Sequence, residues 1–310
     1  MIEIIGAIAP VFALIVLGHV LSRALLTSAE FWGYCDRLTY WVLFPALLFN
    51  KISVVPLDAR FLGPYAGVLV GGFVAAVAFA LLAARIAGLP GPIASSVLQG
   101  AARHNTFIAL AVAERLYAAN GLAIAALASS ILIPITNIVI VTAMVVLHPS
   151  SGDGRAGRAI ARDLTRNPLL VAVFAGLLFN VAGLARLPVL HETSDLLGRA
   201  ALPVALLSIG AGIRIGELAI GAGATSLALA GKLTVFPLAI LLLALATGLE
   251  RQPAQIAMIF GAVPTASSAY ALARQMGGDA PLMARIVTVE TAATFVTMPL
   301  TLIVAGWVMG

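Results

Sequence analysis

The sequence predicts an all-α integral membrane protein of ten transmembrane helices, arranged as two inverted five-helix repeats. Three observations predict it. The 310 residues are 61% hydrophobic and only 10% charged, where a soluble domain carries about 25% charged residues. The apolar residues fall into runs of the ~20 that a bilayer-spanning helix requires. Finally, the chain repeats part of itself at a fixed distance across a polar linker near its middle.

Composition sets the class first. With a mean hydropathy of +1.07, the surface cannot be solvated by so few charges and must face a lipid bilayer. The net charge of +5 does not indicate a nucleic-acid partner, because the basic residues are scattered over short loops instead of forming a patch. A single cysteine, Cys35, leaves no intramolecular disulfide and no cysteine-based metal cluster. The opening MIEIIGAIAP lacks a basic leader region and reads as the start of a spanning helix.

Ten segments satisfy the spanning criterion: 4–22, 32–50, 62–86, 92–117, 121–147, 168–184, 194–213, 219–247, 253–275 and 281–308. The long polar stretch is Pro149–Asn167, with Arg155, Arg158, Arg162 and Arg166. It divides the chain into a first repeat at 1–148, a linker at 149–166 and a second repeat at 167–310.

The repeat rests on three pairs at one offset of 158 residues: Pro10 with Pro168, Gly18 with Gly176, and Pro45 with Pro203. Beyond them the offset drifts, yet Gly100-Ala101 and Gly261-Ala262 each open a polar stretch inside a span. Five spans is an odd number, so the second copy enters the bilayer from the opposite side and the halves are inverted. Arg and Lys in the loops number nine on the linker side against six on the other. By the positive-inside rule the linker is cytoplasmic and both termini lie outside the cytoplasm, in an inner (cell) membrane.

Two spans contain helix-breaking sequence at corresponding places. The fourth carries Gln99-Gly100-Ala101-Ala102-Arg103-His104-Asn105-Thr106, and the ninth Gly261-Ala262-Val263-Pro264-Thr265-Ala266-Ser267-Ser268. Pro264 has no amide hydrogen and clashes with the carbonyl four residues back. In hydrocarbon, the freed backbone groups need partners inside the protein or in a watery cavity. Matched interruptions in two inverted halves point to a transport site. Half-helix N-termini favour an anion there, and loose carbonyls favour a cation. Ordinary polar kinks packed against neighbours are the alternative.

The runs PVFALIVLGHVLSRAL, RLTYWVLFPALLFNKIS, HNTFIALA and LGRAALPVALLSIGAGI resemble the auxin efflux carrier family. That family contains plant auxin exporters and bacterial transporters of malonate, malate and similar acids. The resemblance covers essentially the whole chain. It implies a fold similar to the bile acid sodium symporters, with broken helices 4 and 9 crossing at the substrate site, and a homodimer. It aligns Asn105 with the crossover asparagine and Pro264 with the ninth-helix proline. Plant members have a proline at both crossings, but here the fourth helix has none after Pro92, so its break rests on Gly100 and the 103–106 cluster.

Three charges fall within the hydrocarbon, where a charge is costly and marks function by default. Arg103 is suited to grip a carboxylate with its planar fork, or is satisfied by the loose carbonyls of the break. Lys232 and Glu290 are either a static ion pair or the coupling groups for a proton or sodium ion, and no other cofactor is expected. His104, Asn105, Thr106, Pro264, Thr265, Ser267 and Ser268 complete the candidate binding set, with Asn50 placed beside the crossing. The expected substrate is a small organic anion. A membrane sensor or channel without coupled transport is the second reading. An ATP-driven pump and an intramembrane enzyme are disfavoured by the absence of a phosphate-binding GxxxxGK[ST] loop, of an HExxH pair and of a recognisable Ser-His-Asp order.

Overall fold

The computed structural model describes residues 2–55, 59–148, 167–184, 187–213 and 222–309. All regular structure among the described residues is helical. The first half contains α1 (Ile2–Ala24), α2 (Ala29–Leu38), a π-helical turn (Thr39–Leu43), α3 (Phe44–Ile52), α4 (Ala59–Ile86), α5 (Gly91–Ala102) and α6 (Thr106–Leu147). The second contains α7 (Pro168–Val181), α8 (Pro188–Ala211), α9 (Ala222–Ala230), a second π-helical turn (Gly231–Val235), α10 (Phe236–Thr247), α11 (Arg251–Ala262), α12 (Ser268–Met276) and α13 (Ala280–Val308). The polar linker at 149–166 lies outside the described residues.

Six helical stretches among the described residues are long and apolar enough to cross a membrane: Ile4–Ala24, Phe61–Ile86, Gly91–Leu147, Pro188–Ala211, Gly223–Thr247 and Ala280–Val308. The apolar helix Pro168–Val181 is shorter. The expected spans at 92–117 and 121–147 fall within one 57-residue stretch. Its backbone leaves helical geometry at Tyr117 and Ala118, where Ala118 has φ 51°, between the two expected spans. The expected ninth span is two helices, α11 and α12, separated by 263–267.

Local chemistry sets the helix ends. Asn167 accepts from the Leu169 amide at 2.9 Å and Asp279 from the Leu282 amide at 2.9 Å, each beside a proline in the first turn. Such caps satisfy amides that the helix itself leaves orphaned. Gly277, with φ 78°, closes α12 in the left-handed conformation that glycine adopts without strain. Both π turns precede a proline. Pro45 and Pro237 cannot donate, and the widened turn lets the Phe44 amide reach Thr39 O and the Phe236 amide reach Gly231 O.

Packing uses small residues where helices meet. A methyl group on Gly18 would overlap the Leu207 carbonyl, and one on Gly210 would overlap the Ile15 carbonyl. Helices α1 and α8 therefore touch backbone to backbone, as membrane helices do when no hydrophobic force separates lipid from protein. The outer surface is apolar. Ile86, Val189 and Trp307 are all more than 70% exposed, which suits lipid and not water. Polar side chains are instead buried inside, with Ser95, Ser96, Gln99, Lys232, Thr265, Glu290 and Thr294 all at 0% exposure.

Candidate functional site at the crossed helix breaks

The helix break between α5 and α6 and the break between α11 and α12 meet. The Asn105 amide donates to the Pro264 carbonyl at 2.8 Å. Arg103 and Val263, the residues that end α5 and α11, are both extended, with ψ 152° and 153°. The α5 break needs no proline. Gly100 lies so tight against α13 and α9 that an added methyl would stand 2.7 Å from Ile286 and 2.8 Å from Ala228. Asn105 then restarts the chain by accepting the Ile108 amide at 3.2 Å, which caps α6.

Thr265 ties the two breaks together and is fully buried. Its hydroxyl donates to the Gly100 carbonyl at 2.5 Å, with the Gln99 and Arg103 carbonyls at 3.4 and 3.3 Å. Its amide donates to Glu290 Oε2 at 2.9 Å. These contacts supply partners to backbone groups that lipid could not satisfy.

The charges are distributed unevenly. Lys232 is fully buried, donates to the Phe260 carbonyl at 3.3 Å in the last turn of α11, and lies 4.3 Å from the Phe236 ring centre. A cation at a helix C-terminus and a carboxylate beside the next N-terminus both complement the helix dipoles, so the second break carries its own charges. Lys232 and Glu290 are not within 4.0 Å of each other, and the ion pairs among the described residues are Lys51–Asp195 and Arg199–Asp195. The static Lys232–Glu290 bridge weighed from the sequence is therefore not formed.

The remaining expected residues divide. Arg103 is half-buried and donates from Nη2 to Ser268 Oγ at 3.2 Å. His104 is 5% exposed, with its ring edge-on to Phe260 at 5.5 Å and Nδ1 without a partner. Thr106 opens α6, and Ser267 and Ser268 are exposed at the start of α12. Arg103, His104, Asn105, Thr106, Pro264, Thr265, Ser267, Ser268, Lys232 and Glu290 thus all belong to the two breaks or to side chains bonded to them.

Asn50 does not join them. Its amide donates to the His191 carbonyl at 3.0 Å and to Ser194 Oγ at 3.2 Å, in a polar cluster between α3 and α8 that includes Lys51 and Asp195. Arg285 lies in the second turn of α13 and is 7% exposed. Gln99 carried no role in the sequence reading, yet it is completely buried one turn below Arg103, and both its side-chain oxygen and nitrogen lack partners. No group of three or more His, Cys, Asp or Glu side chains able to hold a metal occurs among the described residues.

Among the described residues all regular structure is helical, the exterior is apolar and charges are buried at crossed helix breaks, which is the architecture of an integral membrane transporter. The family model described as "Membrane transport protein" matches residues 3–302. The chain belongs to that family, the auxin efflux carriers that its helix motifs resemble, and is a transporter and not an enzyme. A relative from Rhizobium meliloti (strain 1021), named "Putative malonate transporter", is 27% identical over 294 residues, covering 89% of this chain and 88% of its own length.

Proposed function

We propose that this protein is a secondary transporter that moves a small organic anion, a carboxylate or auxin-like acid, by alternating access, with its substrate site at the crossing of the two breaks. The reading takes the chain as ten spans in two inverted halves, 1–148 and 167–310. They are joined by a cytoplasmic linker at 149–166, with both termini outside the cytoplasm of an inner membrane. The 57-residue stretch then counts as two spans divided near Tyr117. The segments 29–52, 168–181 and 251–276 complete the ten. The elevator-type movement and homodimer go with this reading.

One observation carries it. Of the two half-helix N-termini at the crossing, that of α12 has Glu290 bonded beside it at Thr265. The α6 N-terminus is capped by the neutral side chain of Asn105 and flanked by Arg103 and His104. A helix N-terminus with an adjacent guanidinium is an anion site. A carboxylate seated there would meet Arg103, Asn105 and Thr106, with Ser267 and Ser268 facing it across the break. The name of the Rhizobium relative supports a carboxylate substrate.

Coupling is assigned to Glu290, the carboxylate at the crossing, with Lys232 as its buried counter-charge and a proton or sodium as the coupling ion. The test is flux of radiolabelled malonate and of a monocarboxylate into proteoliposomes, under imposed proton and sodium gradients applied separately. Saturable flux is expected, accelerated by one of the two gradients. Absence of carboxylate flux under every gradient overturns the reading.

A further inference from the structure

Beyond the crossing, the two half-helices differ in what they show to solvent. Along α12 the exposed residues are Ser267, Ser268, Ala271, Arg274 and Gln275, while Ala269 and Ala273 are buried. At 3.6 residues per turn the five exposed positions fall on one face and the two buried alanines on the opposite one. A face turned to hydrocarbon is apolar, as the outer surface of this protein is at Phe174, Val189 and Trp307. The exposed face of α12 instead carries two hydroxyls, an amide and a guanidinium beside one alanine. Polar groups at membrane depth are accommodated where they line water.

The corresponding stretch of the first break is closed. Residues 108–113, in the first turns of α6 past the crossing, are all buried. The open face lies toward the linker. Its helix ends at Met276, whose carbonyl accepts from His148 Nδ1 at 2.9 Å, and His148 directly precedes the linker. Cations mark both ends of the face. Arg103 bonds Ser268 at the crossing end. Arg274 lies about 9 Å further along the axis than Ser268. Its guanidinium is 6.0 Å from the centre of the Tyr270 ring, one turn back toward the crossing. No Asp or Glu occurs from 264 to 278 to offset these charges along the chain.

We propose that the exposed face of α12 is the wall of a water-filled vestibule leading from the crossing to the linker side, and that Arg274 is the cation at its mouth that draws anions inward. In this conformation the route past α12 is open and the route past α6 is shut, so exchange takes place on the linker side. Arg274 acts during approach, by raising the local concentration of anions in front of the crossing. It selects by sign of charge, and the seated ligand does not need it. The proposal rests on the crossing being the substrate site, yet the wall and its charge preference are measurable without any substrate.

The experiment uses the full-length chain carrying Cys35→Ser, in sealed membrane vesicles of known orientation. Single cysteines are added by Ala271→Cys and Gln275→Cys on the exposed face, and by Ala269→Cys and Ala111→Cys at buried positions. Ser151→Cys in the linker reports sidedness. The probes are two membrane-impermeant methanethiosulfonates of similar size, one bearing a sulfonate and one a quaternary ammonium. Ala271→Cys and Gln275→Cys are expected to react from the same side as Ser151→Cys, and much faster than the two buried positions. Adding Arg274→Gln to Ala271→Cys, one turn away, is expected to lower the anionic-to-cationic rate ratio by about threefold or more at low ionic strength, and by less at high salt. Arg274→Lys is expected to keep the ratio. Reaction at Ala271→Cys no faster than at Ala269→Cys, or only from the side opposite Ser151→Cys, overturns the vestibule. A ratio unchanged by Arg274→Gln overturns the role of Arg274. The expected labelling in a protein that transports no carboxylate under any gradient upholds the vestibule and removes the site reading instead.

Discussion

The Thr265 amide donates to Glu290 Oε2 at 2.9 Å while the Thr265 hydroxyl donates to the Gly100 carbonyl at 2.5 Å. One residue thus joins a carboxylate on α13 to the carbonyl end of α5. Whatever alters Glu290 is felt across both breaks.

Glu290→Gln preserves an oxygen for the Thr265 amide but removes the charge. The fold is expected to tolerate it, whereas Glu290→Ala is expected to lower stability by about 1–3 kcal/mol because a buried amide loses its acceptor. In proteoliposomes, Glu290→Gln should still exchange substrate across the membrane but lose acceleration by the coupling gradient. Full acceleration in the variant would remove Glu290 from coupling.

Lys232 and Glu290 are buried within one charge-complemented break without forming a direct bridge. Lys232→Met alone leaves Glu290 without its counter-charge. The double variant Lys232→Met/Glu290→Gln is expected to melt higher than additivity predicts, by a coupling of roughly 0.5–3 kcal/mol. Additive melting temperatures across the four proteins would show that the two charges are independent.

Arg103 grips by shape as well as by charge. Arg103→Lys keeps the cation and loses the planar fork. An increase in apparent KM for malonate of about tenfold is expected, with a larger increase for Arg103→Ala. The measurement is initial uptake rate against concentration, and equal KM values in all three proteins would place the anion elsewhere.

At the α1–α8 contact, a side chain is excluded by backbone, not by a flexible neighbour. Gly210→Ala is expected to destabilise the protein by about 1–3 kcal/mol, the order of overpacking a close contact. Gly6→Ala is the control, since nothing lies within 4 Å of a methyl group there. Both are read from the melting temperature in detergent, and equal values would mean that the two helices separate at little cost.

Much of the geometry of the two breaks was legible in the sequence because its signals are local. Pro264 breaks a helix wherever it sits, and Arg103, Lys232 and Glu290 stand out within apolar runs. The break at 103–105 was also legible from Gly100 and its polar neighbours, although the tight fit of Gly100 against Ile286 and Ala228 is a tertiary fact. The partners were not legible. Lys232 and Glu290 look like a pair when distance is unknown, yet each bonds main-chain groups of the second break. Asn50 was expected beside the crossing, but its sequence position does not say which neighbour it faces, and it bonds His191 and Ser194 instead. Gln99 was overlooked because an amide in a polar stretch resembles its surroundings. Its lack of partners shows only once the side chain is enclosed, although its i, i+4 spacing from Arg103 was available.

The π turn at Gly231–Val235 has a mechanical consequence. A π turn holds one residue more than the α turn it replaces, so everything after it is rotated by about 100° relative to an uninterrupted helix. That insertion lets Lys232 face the interior while Phe236 and Pro237 also remain buried. Removing one residue from 231–235 would therefore act as a rotary shift of α10, turning Ile240 away from Gly72 and Gly261, which it now abuts. The bulge is the angular key that lets one helix serve the lipid-facing wall and the charged interior in succession.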